Sequence, residues 1–181
     1  MVEGADVGGG EARARVLLTR AFSHSTIQPS TVSELSDLYQ EVILDHNKRP
    51  RNFGTLPDAT GVAQGHNPLC GDRLSLYVRV EDGRLTGISF EGSGCAISKA
   101  SASLMTDAVK GRPIPDVLAL FDAVHVMLTT PIGQDVDETA VGKLAALAGV
   151  REFPVRVKCA SLAWHTLKSA LTGAKEPAKT E

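Results

Sequence analysis

The stretch RLSLYVRVEDGRLTGISFE, residues 73–91, decides the fold. In its first half, apolar side chains alternate with more polar ones, the apolar set being Leu74, Leu76, Val78 and Val80. Alternation with a period of two is typical of a strand with one buried face. Asp82-Gly83 is a dipeptide favoured in two-residue hairpin turns, so the sequence predicts a β-hairpin whose return strand covers 84–91. A short strand over 61–65 adds a third member to a small antiparallel sheet.

Apolar residues at helical spacing predict helices on both sides of this hairpin. The first helix has Ser33 as its N-cap and ends near His46. From Ala96 onward four more helical segments follow, the last of which starts at Ala160. They are marked by Ile97, Ala100, Leu104, Met105 and Ala108, by Ile114, Val117, Leu118, Phe121 and Val124, by Val141, Leu144, Ala145 and Ala148, and by Ala163, Trp164, Leu167 and Leu171. The fold class is therefore α+β, a small antiparallel sheet of about three strands packed against several helices.

The chain length suits one domain. It has 181 residues, of which 43% are apolar, and this is enough to build a single core. Residues 1–32 contain a glycine run and no sustained periodicity, so we expect them to be a disordered extension. The domain itself is expected over 33–173, with a flexible tail over 174–181.

Charge and hydropathy exclude several classes of function. The formal net charge is −2, which gives no electrostatic footprint for nucleic acid. No apolar run approaches the roughly 20 residues that a membrane-spanning helix needs. We therefore expect a cytoplasmic protein without nucleic acid or membrane partners. Thiols stay reduced in that compartment, and three cysteines then point to metal binding or nucleophilic chemistry before disulfides.

The three cysteines are predicted at boundaries between secondary-structure elements. Cys70 lies in a turn just before the hairpin, where Gly71 gives the backbone freedom. Cys95 follows Gly92-Ser93-Gly94 and opens a helix, and Cys159 is placed in the same way before the last helix. Unpaired amides at a helix start favour thiolate over thiol. The alternative is three buried, inert thiols.

Three thiolates and one carboxylate would complete a tetrahedral zinc site. Asp72 is the best fourth ligand, because it stands two residues after Cys70 and can reach the same metal across Gly71. His66 is the competing ligand, since imidazole also binds zinc and this residue precedes Cys70 by four positions. No Cys-x-x-Cys pair occurs in the sequence, so the spacing of the ligands gives only moderate support for zinc.

Several motifs together resemble a known family. They are the segments 38–46 and 47–54, Asn67 to Asp72, Gly92 to Ser98, and Val157 to Ala160. From about Leu35 to Leu171 the sequence is similar to the SufU-type proteins, close relatives of the IscU-type and NifU-like iron-sulfur cluster assembly proteins. The resemblance implies a SufE/NifU-like fold and a metal site made by Cys70, Asp72, Cys95 and Cys159.

Two differences separate the branches of this family. IscU-type scaffolds look similar but carry a histidine directly before the last cysteine, where this chain has Lys158. The gap between Cys95 and Cys159 is also wider, as in the SufU branch. The resemblance thus implies a zinc-dependent sulfurtransferase that takes persulfide sulfur from a SufS-type cysteine desulfurase and serves a downstream iron-sulfur assembly scaffold.

We expect Cys70 to be the residue that accepts sulfur. It lies on a glycine-containing loop, whereas Cys95 and Cys159 are predicted at helix starts and are better suited to holding the metal. Accepting sulfur requires a thiolate that is exposed and able to leave the metal. Two other functions remain open. One is a scaffold that holds a transient [2Fe-2S] cluster on the same cysteines, and the other is a structural zinc-binding interaction module without catalysis.

Overall fold

A computed structural model describes residues 31–174 and 176–180 of the chain. This part contains four α-helices, one 3-10 helix and four strands. In chain order the elements are α1 (Thr31–Lys48), β1 (Gly61–Asn67), β2 (Asp72–Glu81), β3 (Arg84–Ser93), α2 (Ala96–Val109), α3 (Ile114–Thr129), the 3-10 helix (Gly142–Glu152), α4 (Pro154–Thr172) and β4 (Ala178–Lys179). The predicted α+β class is confirmed, with α1 before the hairpin and the other helices after it.

The hairpin forms as predicted. β2 and β3 pair antiparallel, and Leu76 lies opposite Phe90 in the middle of the ladder. Asp82 and Gly83 both have positive φ, 48° and 72°, which is the backbone conformation of a type I′ turn. The side chains of Leu76, Val78 and Phe90 are almost completely buried against the helices. The alternating pattern therefore sets which face of the sheet covers the core.

The sheet has one strand more than the sequence predicted. Its order is β3-β2-β1-β4, and β4 pairs parallel with β1 through Gly65 with Ala178 and His66 with Lys179. This strand lies within 174–181, where we predicted a flexible tail. A two-residue strand is too short to show periodicity, so nothing in the sequence pattern could announce it.

The last helix begins earlier than predicted. α4 starts at Pro154 and not at Ala160. Proline is favoured in the first turn because its fixed φ suits a helix and its missing N–H is not needed there. Cys159 consequently lies inside α4, about one and a half turns from its start. At the other end of the chain, α1 begins at Thr31, two residues before the predicted cap Ser33. The predicted extension over 1–32 otherwise lies outside the described residues.

The helices cover one face of the sheet. α4 packs on β1 and β2, and α2 packs on α4. α1 and the 3-10 helix pack against α2 and against each other. The core between them is largely aliphatic, with Trp164 as its largest fully buried side chain. Across 31–174 and 176–180, no helix is long and apolar enough to cross a membrane.

A buried histidine ties α1 to α2. His46 is 6% exposed, and its Nδ1 lies 2.7 Å from the Oγ of Ser103 on α2. The same Oγ accepts a hydrogen bond from the backbone amide of Arg51. Burial holds the pKa of His46 below its ordinary value of 6.5, and the nearby charge of Arg51 acts in the same direction.

We expect the free energy of unfolding of the metal-free protein to fall as the pH drops below about 6.5. There the unfolded chain binds a proton on His46 that the folded protein, with its lower pKa, does not. The stabilisation from His46 is complete above the pKa that this residue has in the unfolded chain. It is lost as the pH falls through the pKa of His46 in the folded protein. Urea unfolding on both sides of this range measures it, with zinc removed. The His46→Gln variant should show a weaker pH dependence, with a remainder from His165, whose pKa is also lowered. An unchanged dependence would contradict this account.

Candidate metal centre

The candidate centre lies at one end of the sheet, where β1 turns into β2. Asn67, the last residue of β1, pairs with Asp72, the first residue of β2. Cys70 lies in the turn between them, followed by Gly71 with a φ of 71°. The Gly71 amide donates to the Asn67 carbonyl at 2.9 Å and closes the turn. The turn therefore places Cys70 close to the carboxylate of Asp72.

Asp72 uses its two carboxylate oxygens differently. Oδ1 accepts a 2.9 Å hydrogen bond from the Cys95 amide at the start of α2. Oδ2 faces the sulfur atoms and lies 4.0 Å from Cys95 Sγ. The side chain is 1% exposed, and a Cβ at Gly94 would approach Oδ1 to 2.6 Å. Asp72 is thus held firmly at the start of β2.

Cys95 lies where the sequence predicted it. It is the N-cap of α2, and its Sγ accepts a hydrogen bond from the Ser98 amide at 3.4 Å. The Cys95 sulfur therefore lies at the positive end of the α2 helix dipole. Of the two cysteines predicted at helix starts, this one is confirmed.

Cys159 does not lie at a helix start. Because α4 begins at Pro154, Cys159 is an interior helical residue with no exposed surface. Its thiol donates to Cys70 Sγ at 3.2 Å, and Asn67 Nδ2 donates to Cys159 Sγ at 3.5 Å. Burial raises the pKa of Cys159 well above its usual range, and hydrogen bonds with Cys70 and Asp72 add to this. The expected stabilisation of its thiolate by helix-start amides is therefore wrong, and a metal ion would have to displace this proton.

The donor atoms converge enough to hold a metal ion. One ligand atom each from Cys70, Asp72 and Cys159 lies within 4.8 Å of the other two. Cys95 Sγ stands at the edge of this triad, next to Asp72 Oδ2. Thiolates with one carboxylate suit zinc, and thiolates also bind iron-sulfur clusters, so the chemistry of the donor set fits both. His66, the competing ligand, lines the outer face of the sheet beside Arg73.

Two residues at the centre were missed by the sequence analysis. Asn67 is fully buried, and its side-chain amide donates the hydrogen bond to Cys159 Sγ described above. Arg156 lies beside Cys95 and Cys159, and the negative charge of Cys95 is the main cause that raises the pKa of its guanidinium. Arg156 precedes Cys159 by three residues, a spacing that puts both on one helix face. This spacing is visible in the sequence, but it places Arg156 beside Cys159 only if α4 is known to start at Pro154.

Comparison with known proteins shows the family to which the chain belongs. The family described as the NifU-like N-terminal domain matches residues 38–173. The "Iron-sulfur cluster assembly scaffold protein IscU" of Streptococcus pyogenes serotype M1 is 43% identical over 141 residues, covering 77% of this chain and 86% of the relative. The "Zinc-dependent sulfurtransferase SufU" of Bacillus subtilis (strain 168) is 41% identical over 140 residues, covering 77% and 92%.

Solved structures show the same relationship. A crystal structure described as a candidate iron-sulfur cluster assembly scaffold protein for the SUF system, from Fervidobacterium islandicum AW-1, has a TM-score of 0.67 and 34% identity, covering 72% of this chain and 94% of that one. A NifU-like protein (N-terminal) from Brucella abortus has a TM-score of 0.68 and 26% identity, covering 80% and 99%. The resemblance seen in the sequence is thereby confirmed, and the chain belongs to the family of NifU-like N-terminal domains.

Proposed function

We propose that this chain is a zinc-dependent sulfur transfer protein, which accepts persulfide sulfur from a SufS-type cysteine desulfurase and passes it to a downstream iron-sulfur assembly scaffold. The observation that carries the proposal is the difference in access among the three cysteines. Cys70 and Cys95 are half-buried, whereas Cys159 is fully buried inside a helix. Of the two accessible thiols, Cys95 is the N-cap of α2, and Cys70 lies on a turn where it is freer to meet a partner.

Cys70, Asp72, Cys95 and Cys159 would hold the zinc ion. When bound, zinc supplies a positive charge that keeps the thiols deprotonated at neutral pH. Asp72 suits this role because only its Oδ1 is committed to the Cys95 amide, which leaves Oδ2 available. Arg156 adds a second positive charge on the side of Cys95 and Cys159.

The transfer step is a thiol exchange on the chain's own cysteine. The Cys70 thiolate attacks the outer sulfur of the desulfurase persulfide, and a new S–S bond forms on Cys70. The donor's S–S bond breaks, its electron pair stays on the donor cysteine, and that cysteine leaves as a thiolate. The outer sulfur keeps its hydrogen, so no external oxidant or reductant is needed. Arg156, beside Cys95 and Cys159, would offset the negative charge of the thiolates during this step.

Exposed apolar side chains frame the site and would contact the desulfurase. Leu69, next to Cys70, is 62% exposed, and Phe153 and Val155 at the start of α4 are 59% and 54% exposed. Large apolar side chains left in water beside a reactive group are typical of a surface that a protein partner covers. The partner's persulfide would reach Cys70 from this side.

A cluster scaffold is the second candidate function. Its support is the donor set of three cysteines together with a relative named as an iron-sulfur scaffold at 43% identity. In that case the [2Fe-2S] cluster is cargo assembled on the same residues. Lys158 argues for sulfur transfer, because it stands where scaffolds resembling this chain have a histidine.

Metal content and desulfurase turnover test the proposal together. We expect the purified full chain to be colourless with an equimolar amount of zinc, and to raise the turnover of a SufS-type desulfurase when cysteine is the substrate. A brown protein with iron and acid-labile sulfide would support the scaffold. Tight zinc with unchanged turnover would support a structural module and would contradict sulfur transfer.

A further inference from the structure

A second cleft lies on the other side of α4. It has a volume of about 530 Å³ and lies between the end of α3, the first half of α4 and the C-terminal strand β4. We call it the α3–α4 cleft. The ionisable residues that line it are His125, Arg151, Lys158, His165 and Lys179. Each of them is a base, and no carboxylate within residues 31–174 and 176–180 lines the walls.

The basic side chains of the cleft take no part in the ion pairs of the described part of the chain. Among the described residues, none of the ion pairs includes Arg151, Lys158 or Lys179. The rings of His125 and His165 lie 5.9 Å apart. Burial and the charges of His125 and Lys168 hold the pKa of His165 below its usual value. Low-dielectric walls lined by one sign of charge attract ions of the opposite sign.

A buried hydroxyl beside the cleft lacks a partner. Thr180 is 5% exposed, and its Oγ1 makes no hydrogen bond within the described structure. Buried polar atoms in proteins are almost always paired, because leaving one unpaired costs free energy. Thr180 lines the cleft with other atoms, because its Oγ1 has no accessible surface and is closed off from the cleft.

The cleft is separate from the metal centre. Lys158 and Cys159 are consecutive helical residues, so their side chains point about 100° apart around α4. Lys158 borders the cleft, whereas Cys159 Sγ contacts Cys70. Lys179 and Thr180 also lie beyond residue 173, where the match to the NifU-like domain ends. The charges of the cleft thus include groups outside the part that this chain shares with its family.

We propose that the α3–α4 cleft binds a small organic oxyanion, a phosphate or a carboxylate. Lys158 and Lys179 supply charge-assisted donors. Leu128, Pro131 and Val157 form apolar walls for the organic part of the ligand. The volume is within the range of small-molecule sites, and it exceeds what a bare phosphate ion fills.

Titration calorimetry on the zinc-loaded full chain tests the cleft with three probes of similar size, namely phenyl phosphate, benzoate and neutral benzyl alcohol. Binding of phenyl phosphate or of benzoate identifies which oxyanion is preferred, and benzyl alcohol should not bind. Lys158→Gln and Lys179→Gln should each weaken binding about tenfold, the loss of one charge-assisted hydrogen bond. Lys143→Gln, an exposed lysine on the 3-10 helix, is the matched control and should bind as the wild type does.

Thr180→Val adds a measurement that does not depend on charge. It should leave anion binding unchanged, because the hydroxyl is closed off from the cleft, and it should leave the stability of the ligand-free protein equal or higher, since it removes an unpaired buried hydroxyl. The proposal is overturned if neither anion binds, if benzyl alcohol binds equally well, or if Lys143→Gln weakens binding as much as Lys158→Gln. A loss of zinc in Lys158→Gln with unchanged anion binding would also overturn it, because the charge would then serve the metal centre.

Discussion

Replacing Cys70 by serine should reduce sulfur acceptance from a cysteine desulfurase to background. A serine hydroxyl stays protonated at neutral pH and cannot form a persulfide. The change should leave the fold intact, since Cys70 is a half-buried turn residue and the turn is closed by the Gly71 amide and the Asn67 carbonyl. Incubation with desulfurase and cysteine, followed by intact-mass measurement, detects the added sulfur atom.

Cys95→Ser is the matched control for this experiment. Serine is itself a favoured N-cap, so α2 keeps its start, and Cys70 remains available. We expect this variant to hold zinc less tightly but still to gain a sulfur atom on Cys70. If Cys70→Ser took up sulfur as fast as the wild type, the acceptor would have to be another cysteine, and the role given to Cys70 would be wrong.

Replacing Asp72 by asparagine should lower zinc affinity at least about tenfold, the lower end of what even an outer-shell partner of a metal site contributes. Asparagine retains one oxygen, which can still accept the hydrogen bond from the Cys95 amide. Its neutral NH₂ group replaces Oδ2, the oxygen that faces the sulfur atoms. The substitution therefore removes the proposed metal ligand while it preserves the link to α2. Competition with a chelator measures the affinity.

Asp72→Ala separates the two roles of this carboxylate. It removes both oxygens, so the metal-free protein should lose about 1–3 kcal/mol, because the amide at the start of α2 loses its acceptor. Asp72→Asn should leave the metal-free stability close to that of the wild type. Equal zinc affinity in Asp72→Asn and the wild type would show that Asp72 has only the structural role.

The sequence predicted the hairpin and the positions of Cys70 and Cys95 for sound physical reasons. The alternation along β2 and the Asp82-Gly83 turn leave little choice of register. Cys95 was placed correctly because glycines end β3 and helical spacing begins directly afterwards.

The position of Cys159 was predicted wrongly for an equally physical reason. Residues 155–158 read Val-Arg-Val-Lys, an alternating β-branched pattern that favours a strand by local preference. In the structure they form the first turns of α4, where Val157 packs partly against the core. Tertiary packing overrides the local preference at this point. The error carried over to Arg156, whose place beside Cys95 and Cys159 depends on the start of α4.

The two-residue strand β4 has a practical consequence for where a shortened version of the protein should end. A boundary at residue 173, where both the predicted domain and the family match end, would remove Ala178–Lys179. The backbone groups of Gly65 and His66 on β1 would then be left unpaired at an open sheet edge. Such edges pair with other chains, so a protein shortened at this point should be more prone to aggregate than the full-length one.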